Sequence, residues 1–553
     1  MDLLAEEPKA MAGGGTDAPS PDRRRARRKE LLIALLAFAV LGALAYWSHF
    51  RHGGFYSDDW ADIAATLHGS GGVSGTLSYY SELFPYRPGL IIYVPLKYWV
   101  LGADPAAQLA LAVALAVAVS WLAYGILRKL SVPPIHAWMI GALALVFPWA
   151  DSTKLWEAAS LPSVAMIFAL AGLWIALIGL ERKSWRLHLV AAALFLVSIL
   201  VYEITLPLIA AMGILYGLRA GWRRTWRLWA LDLAVVVAAG IWNRSHTNRE
   251  VSSLSGDVHH AGEIVKNSGT LLGRTVWPLG AHSHTTVMLL ALLVVFGVGT
   301  AAYLTRRERW ATDGWGLREW LLLGGGGLVV AALGWCMFIP ANPYYTPSVL
   351  GDVNRVNAIA CIGLVMTAYA AAGIVVTLVA GLLPSGRRSR FAWLAVPALA
   401  VVLGAAYVHV LDRHITIWDD AYANQLAAFE NVERADPHPA DGTVFYLAGA
   451  PAFEAPAVPI FESEWTFGGM VKSRYANDTL NGYSATPWLS FACTPDGVEL
   501  VGSAGAQPPV TPYGNAILVN AGTGNHDRPR DQAACEKVIG EYGQGPTEII
   551  SGY

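Results

Sequence analysis

"LLIALLAFAVLGALAYWSHFRHGGFYSDDWADI", residues 31–63, sets two unlike kinds of sequence side by side. Leu31 to Trp47 contains no charged residue and reads as a membrane span, because roughly 20 apolar residues cross a hydrocarbon core of about 30 Å. Asp58, Asp59 and Asp62 follow almost at once. Ionisable groups at a membrane are costly unless they are paired or used, so the cluster marks a candidate functional loop.

The remainder of the chain has the same apolar character. Its 553 residues are 54% hydrophobic and 14% charged, with a mean hydropathy of +0.41. This composition predicts a polytopic α-helical membrane protein. A net charge of -2 offers no basic excess for nucleic acid, and no such partner is expected. Spans are expected near 31–49, 105–127, 135–150, 160–180, 187–202, 204–219, 228–242, 286–304, 319–339, 356–380 and 391–410. Alternate connections (1–30, 128–134, 181–187, 219–227, 305–318 and 384–390) hold 23 Lys and Arg, whereas the remaining loops up to residue 410 hold nine. Basic residues favour the cytoplasmic side. The expected topology is therefore about 11 spans in the plasma (inner) membrane, with the N-terminus cytoplasmic and the C-terminus outside.

Three domains follow from this division. Residues 1–30 are Gly/Pro/Ala-rich and basic, and predict a disordered cytoplasmic tail attracted to anionic lipid. Arg23–Lys29 and Ala43-Leu44-Ala45 resemble the two ends of a signal peptide, but the apolar run between them exceeds an ordinary h-region of about 7–15 residues. An uncleaved anchor is the preferred reading. Residues 31–410 form the membrane domain with its outer loops. Residues 411–553 lack long apolar runs and predict an extracytoplasmic α/β or α+β domain. There "WDDAYANQLAAFENVERA" (418–435) has helical spacing, and "GTVFYLAGA" and "NAILVNAG" read as buried strands. Cys493 and Cys535 both fall on the oxidising side, where a disulfide between them is possible without being dictated. Cys336 and Cys361 lie in spans as packing residues.

The outer loops gather the remaining polar groups. Loop 1 carries Asp58, Asp59, Asp62, Glu82, Arg87 and Lys97, and "FPWADSTKLWEAASLP" (147–162) adds Asp151, Lys154 and Glu157. Glu203 sits in "VYEITLP". Residues 243–285 contribute Arg244, Arg249, His259, His260, Lys266, Arg274, His282 and His284, and "PANPYYTPSVLGDVNRVN" (340–357) contributes Asp352 and Arg355.

"SDDWADI", followed by "PYRPGLIIYVPLKYWVLGADPAAQLALAVALAVAVSWLAYGILRKL", resembles the opening of GT-C glycosyltransferases, especially those related to protein O-mannosyltransferases. In that pattern an acidic pair follows the first span and a Tyr-Arg-Pro segment begins a short interfacial helix. "FPWADSTKLWEAAS" is similar to the family's second loop, with the order of Trp156 and Glu157 altered, and "VYEITLPL" to its Glu…Leu-Pro element. The likeness covers residues 31–220 by motif and 221–410 by topology, while residues 411–553 match no domain. It implies a polyprenyl-phosphate-linked sugar donor and transfer on the outer face to an envelope acceptor: polysaccharide, lipid or protein.

The residue types suit that chemistry. An acceptor hydroxyl attacking an anomeric carbon must lose its proton, and a carboxylate within hydrogen-bond reach can take it. Asp58 and Asp59 are the candidates, with Asp58 slightly favoured by motif alignment. Successive residues point differently on a regular backbone, so only one of them is expected to face substrate. The anionic lipid phosphate calls for Arg or Lys. Arg355 and Arg244, at span ends, come first, then Lys154 and Arg87. Each also suits a simple headgroup anchor. Glu203 and Glu157 are possible supporting residues. No cofactor is expected. A divalent cation on Asp58 and Asp59 fits the preference of Mg²⁺ or Mn²⁺ for oxygen ligands, but a monophosphate donor requires less charge neutralisation than a pyrophosphate. His259-His260 and the His282/His284 pair match no zinc spacing. Two other classes compete. A transporter or flippase of lipid-linked sugars predicts internal repeats and mid-membrane charges, and no clear repeat is present. An anchored structural envelope protein requires only one span.

Overall fold

The computed structural model describes residues 21–247, 253–280, 285–305, 315–502 and 508–543. The tail before residue 21, Arg249, His282 and His284 lie outside the described residues. The apolar segments are helical, as hydrocarbon requires, because it offers no partner for backbone N–H and C=O groups. The bundle comprises Pro21–Ala45, Pro105–Lys129, Pro134–Leu145, Leu161–Arg182, Trp185–Val201, Leu206–Ala220, Trp222–Ser245, Thr285–Thr305, Leu317–Cys336, Ala360–Ala380 and Ser385–Ala435. Among the described residues, eight helices are long and apolar enough to cross a membrane. Pro134–Leu145 and Trp185–Val201 are apolar but shorter, and Pro21–Ala45 begins in the basic "PDRRRARRK". Length and apolarity alone thus support fewer spans than the eleven expected.

Local chemistry places the breaks. Asp104 caps its helix by accepting from Ala106 N at 3.0 Å, with Pro105 at the first position, where its missing N–H costs nothing. A 3-10 turn, Glu203–Thr205, separates Trp185–Val201 from Leu206–Ala220. Leu317–Cys336 and Ala360–Ala380 meet at Gly327 and Gly363. A Cβ on Gly363 would stand 2.3 Å from Gly327 O, so only glycine allows these backbones to pack so closely. Within the bundle, His188 Nε2 lies 3.3 Å from the buried Asp232 Oδ1, a polar pair that hydropathy counting passes over.

Ser385–Ala435 is one helix of 51 residues, about 75 Å at 1.5 Å per residue. The boundary expected at residue 411 falls inside it. Beyond the bundle, one of its faces holds the connecting loops. His414 Nδ1 meets Asp151 Oδ2 at 2.5 Å, Asp419 Oδ1 meets His49 Nδ1 at 2.6 Å, and Gln425 Oε1 accepts from Trp60 Nε1 at 2.8 Å. Tyr56 Oη donates to Trp418 O at 2.8 Å. The C-terminal domain then builds a four-stranded sheet in the order Asn481–Ser484, Val444–Ala448, Ala516–Asn520, His526–Asp527. The first three strands are parallel and the last is antiparallel. Helix Glu464–Tyr475 connects the first parallel pair, as a parallel connection requires. A disulfide joins Cys493 to Cys535.

Candidate functional site

The acidic cluster of loop 1 is split by its own backbone. Ser57 has φ 44°, a conformation few non-glycine residues adopt, and its hydroxyl donates to Glu462 Oε1 of the C-terminal domain. The short helix Asp58–Ile63 starts at once, so the adjacent carboxylates diverge. Asp58 remains partly exposed, and its Oδ1 accepts from Trp465 Nε1 at 2.8 Å. Asp59 is fully buried, its Oδ2 accepting from Tyr56 N at 3.1 Å and its Oδ1 from Ala158 N at 3.0 Å. Burial pushes the Asp59 carboxyl up to about 6 against the pull of Lys97. Asp62 is buried too, bonded to Tyr80 Oη at 3.0 Å, and burial raises it to about 7.

Two cavities adjoin this cluster. The smaller, about 440 Å³, is lined by Arg87, Arg244, Arg355, Tyr86, Tyr202 and Tyr345, with Phe84, Leu90, Met337 and Phe338 completing an apolar wall. The larger, about 1330 Å³, lies between the loop 340–357, helix Leu254–Val276 and the C-terminal domain, which contributes Glu462, Trp465 and Trp488. Asp58, Tyr345 and Arg355 line both. The Arg355 guanidinium lies over the rings of Trp156 and Tyr345, at 5.1 and 5.6 Å from their centroids. Its Nη2 is 3.5 Å from Tyr345 Oη, and its buried Nε has no hydrogen-bond partner among the described residues. The junction therefore combines a carboxylate and a donor-rich cation, the groups needed to remove a proton and to hold an anion.

The other expected residues divide. Arg244, exposed in the last turn of Trp222–Ser245, reaches the smaller cavity. Arg87 reaches it as well but is engaged by Glu203 through Nε–Oε2 at 2.7 Å and Nη2–Oε1 at 2.6 Å, and it stacks on Tyr202. Arg87 and Glu203 thus form one ion-paired unit on the cavity wall. Lys154 lines neither cavity. The helical turn Ser152–Leu155 buries it, and its amine donates to Phe147 O at 3.3 Å. Glu157 also lines neither cavity, and it pairs with buried Lys97. His259 and His260 both border the larger cavity, and His260 Nδ1 lies 3.0 Å from Ile339 O.

The C-terminal residues were not singled out by sequence reasoning. Glu462 accepts from Ser57 and Ser463, while its buried Oε2 has no partner among the described residues; burial pushes this carboxyl up to about 7. Trp465 and Trp488 complete the wall. The only signal was the acid–aromatic string "FESEW" at 461–465, in a domain without a recognised pattern. Helix Glu464–Tyr475 reaches the site because Gly469 has no side chain: a Cβ there would lie 2.5 Å from Ala61 N.

No protein-family model and no curated protein matches the chain. Among solved structures, it is similar to ArnT from Cupriavidus metallidurans bound to undecaprenyl phosphate, with 13% identity and a TM-score of 0.40 over 81% of this chain and 85% of that chain.

Proposed function

We propose that this chain is a GT-C-type glycosyltransferase of the plasma membrane that moves a sugar from a polyprenyl-phosphate-linked donor to an envelope acceptor on the outer face, with Asp58 as general base. The observation that carries the reading is the shared wall: Asp58 and Arg355 border both cavities. The smaller cavity suits the donor, since its arginines and tyrosines meet a phosphate while its apolar wall meets the first prenyl carbons. The larger cavity suits the acceptor. The acceptor hydroxyl oxygen bonds to the anomeric carbon as the carbon–phosphate oxygen bond breaks, the electron pair passes to the phosphate, and the proton passes to Asp58. Trp465 occupies only Oδ1 of Asp58, leaving Oδ2 for this transfer. Arg355 stabilises the phosphate charge as it develops, and its pre-set position limits reorganisation. Asp59, with both oxygens engaged, holds loop 1 to the segment 147–162. The arginines supply the positive charge in this scheme, which calls on no metal ion.

The test uses undecaprenyl phosphate binding to the full chain in nanodiscs, together with sugar transfer in host membranes. Asp58→Asn is expected to bind the lipid as the wild type does while transfer falls about 10²–10⁴-fold. Arg355→Ala is expected to weaken lipid binding about ten- to a hundredfold, since a charge-assisted hydrogen bond contributes roughly 1.5–3 kcal/mol. Arg355→Lys recovers part, keeping the charge without the fork. Wild-type transfer by Asp58→Asn would remove Asp58 from the base role.

A further inference from the structure

We infer that the larger cavity is a saccharide site in which Trp465 and Trp488 present stacking faces to a pyranose acceptor. This rests on the transfer reading above and specifies its acceptor as carbohydrate. Both tryptophans belong to a well-packed domain in which Phe461 and Phe467 are fully buried, yet they remain 46% and 44% exposed on the cavity wall. Their positions are fixed at the polar end: Trp465 Nε1 donates to Asp58 Oδ1 at 2.8 Å and Trp488 Nε1 to Glu462 O at 3.1 Å. With the N–H groups already used, the exposed carbon atoms of both indoles are held in place before any ligand arrives, and such preorganisation lowers the entropy cost of binding.

The same lining also carries a row of polar groups. His259, Glu263, Lys266 and Asn267 all lie on helix Leu254–Val276. Aromatic rings and a row of donors and acceptors on one cavity lining match a pyranose, which has an apolar C–H face and a rim of hydroxyls. At about 1330 Å³, the cavity exceeds the roughly 300–1,000 Å³ of ordinary small-ligand pockets, leaving room for several rings. Trp465 bonds directly to Asp58, so a sugar stacked on it lies beside the proposed base.

The experiment titrates the full chain in nanodiscs with soluble gluco-, manno- and galacto-configured tetrasaccharides, read by saturation-transfer NMR and tryptophan fluorescence, with undecaprenyl phosphate binding measured in parallel. At least one tetrasaccharide is expected to bind, and Trp465→Ala and Trp488→Ala each weaken it tenfold or more. Trp465→Phe retains most of the affinity because a ring face remains. Trp393→Phe, 64% exposed on the membrane helix, leaves it unchanged. Absence of tetrasaccharide binding, or equal binding by both alanine variants, overturns the saccharide site. If undecaprenyl phosphate still binds in that case, the donor reading stands. Tryptophan-dependent sugar binding without lipid binding supports the site and removes the transfer reading.

Discussion

Two neighbouring aspartates stand in different surroundings because one carboxylate is consumed by the fold. Asp59 accepts from Tyr56 N and Ala158 N, and an amide in its place would turn an N–H₂ group toward one of these donors. Asp59→Asn should therefore destabilise the protein by about 1–3 kcal/mol, lowering its thermal midpoint in detergent. An unchanged midpoint would free Asp59 from the structural role. Glu462 makes a prediction in pH. Burial pushes its carboxyl up to about 7, above the ordinary 4.5 of a glutamate, so between those values the native protein keeps a proton that the unfolded chain releases. Stability from this group is present at low pH and is lost as pH rises through about 7. Glu462→Gln should flatten that decline, gaining on the order of 1–3 kcal/mol over wild type above pH 7. Parallel melting curves from pH 4 to 8 would contradict it.

At the scale of elements, the site depends on helix Glu464–Tyr475 lying against Asp58–Ile63, a contact that Gly469 permits. Gly469→Val should separate the two helices at a cost of about 1–3 kcal/mol and reduce transfer by moving Trp465 from Asp58. Wild-type transfer and stability in this variant would show that the contact is dispensable. The contact also marks where sequence reading stops. The apolar segments were legible because composition alone identifies them, and the two central strands because turn residues bound them. Asp58 was legible as a loop acid following a span. Motif alignment leaned toward Asp58, but the reason that Asp58 and not Asp59 borders a cavity was not legible, since it depends on Ser57 and on residues 147–162. Lys154 illustrates the same limit: its place in a polar loop gave no indication that a single helical turn would bury it. Ser57 and Glu462, 405 residues apart, meet only through the tertiary fold.

At the scale of the molecule, Ser385–Ala435 ties the bundle to the C-terminal domain and fastens both catalytic-candidate loops along the way, through Asp151, His49, Tyr56 and Trp60. The membrane part contributes the arginine-lined cavity and the C-terminal domain the aromatic wall, with Asp58 and Arg355 where they meet. The most direct measurement is a cryo-EM structure of the full chain with undecaprenyl phosphate. The account predicts the phosphate against Arg355, beside Arg244 and the Arg87–Glu203 pair, with its prenyl chain leaving past Phe84 and Met337. A phosphate bound elsewhere on the bundle, out of reach of both Arg355 and Asp58, would contradict it.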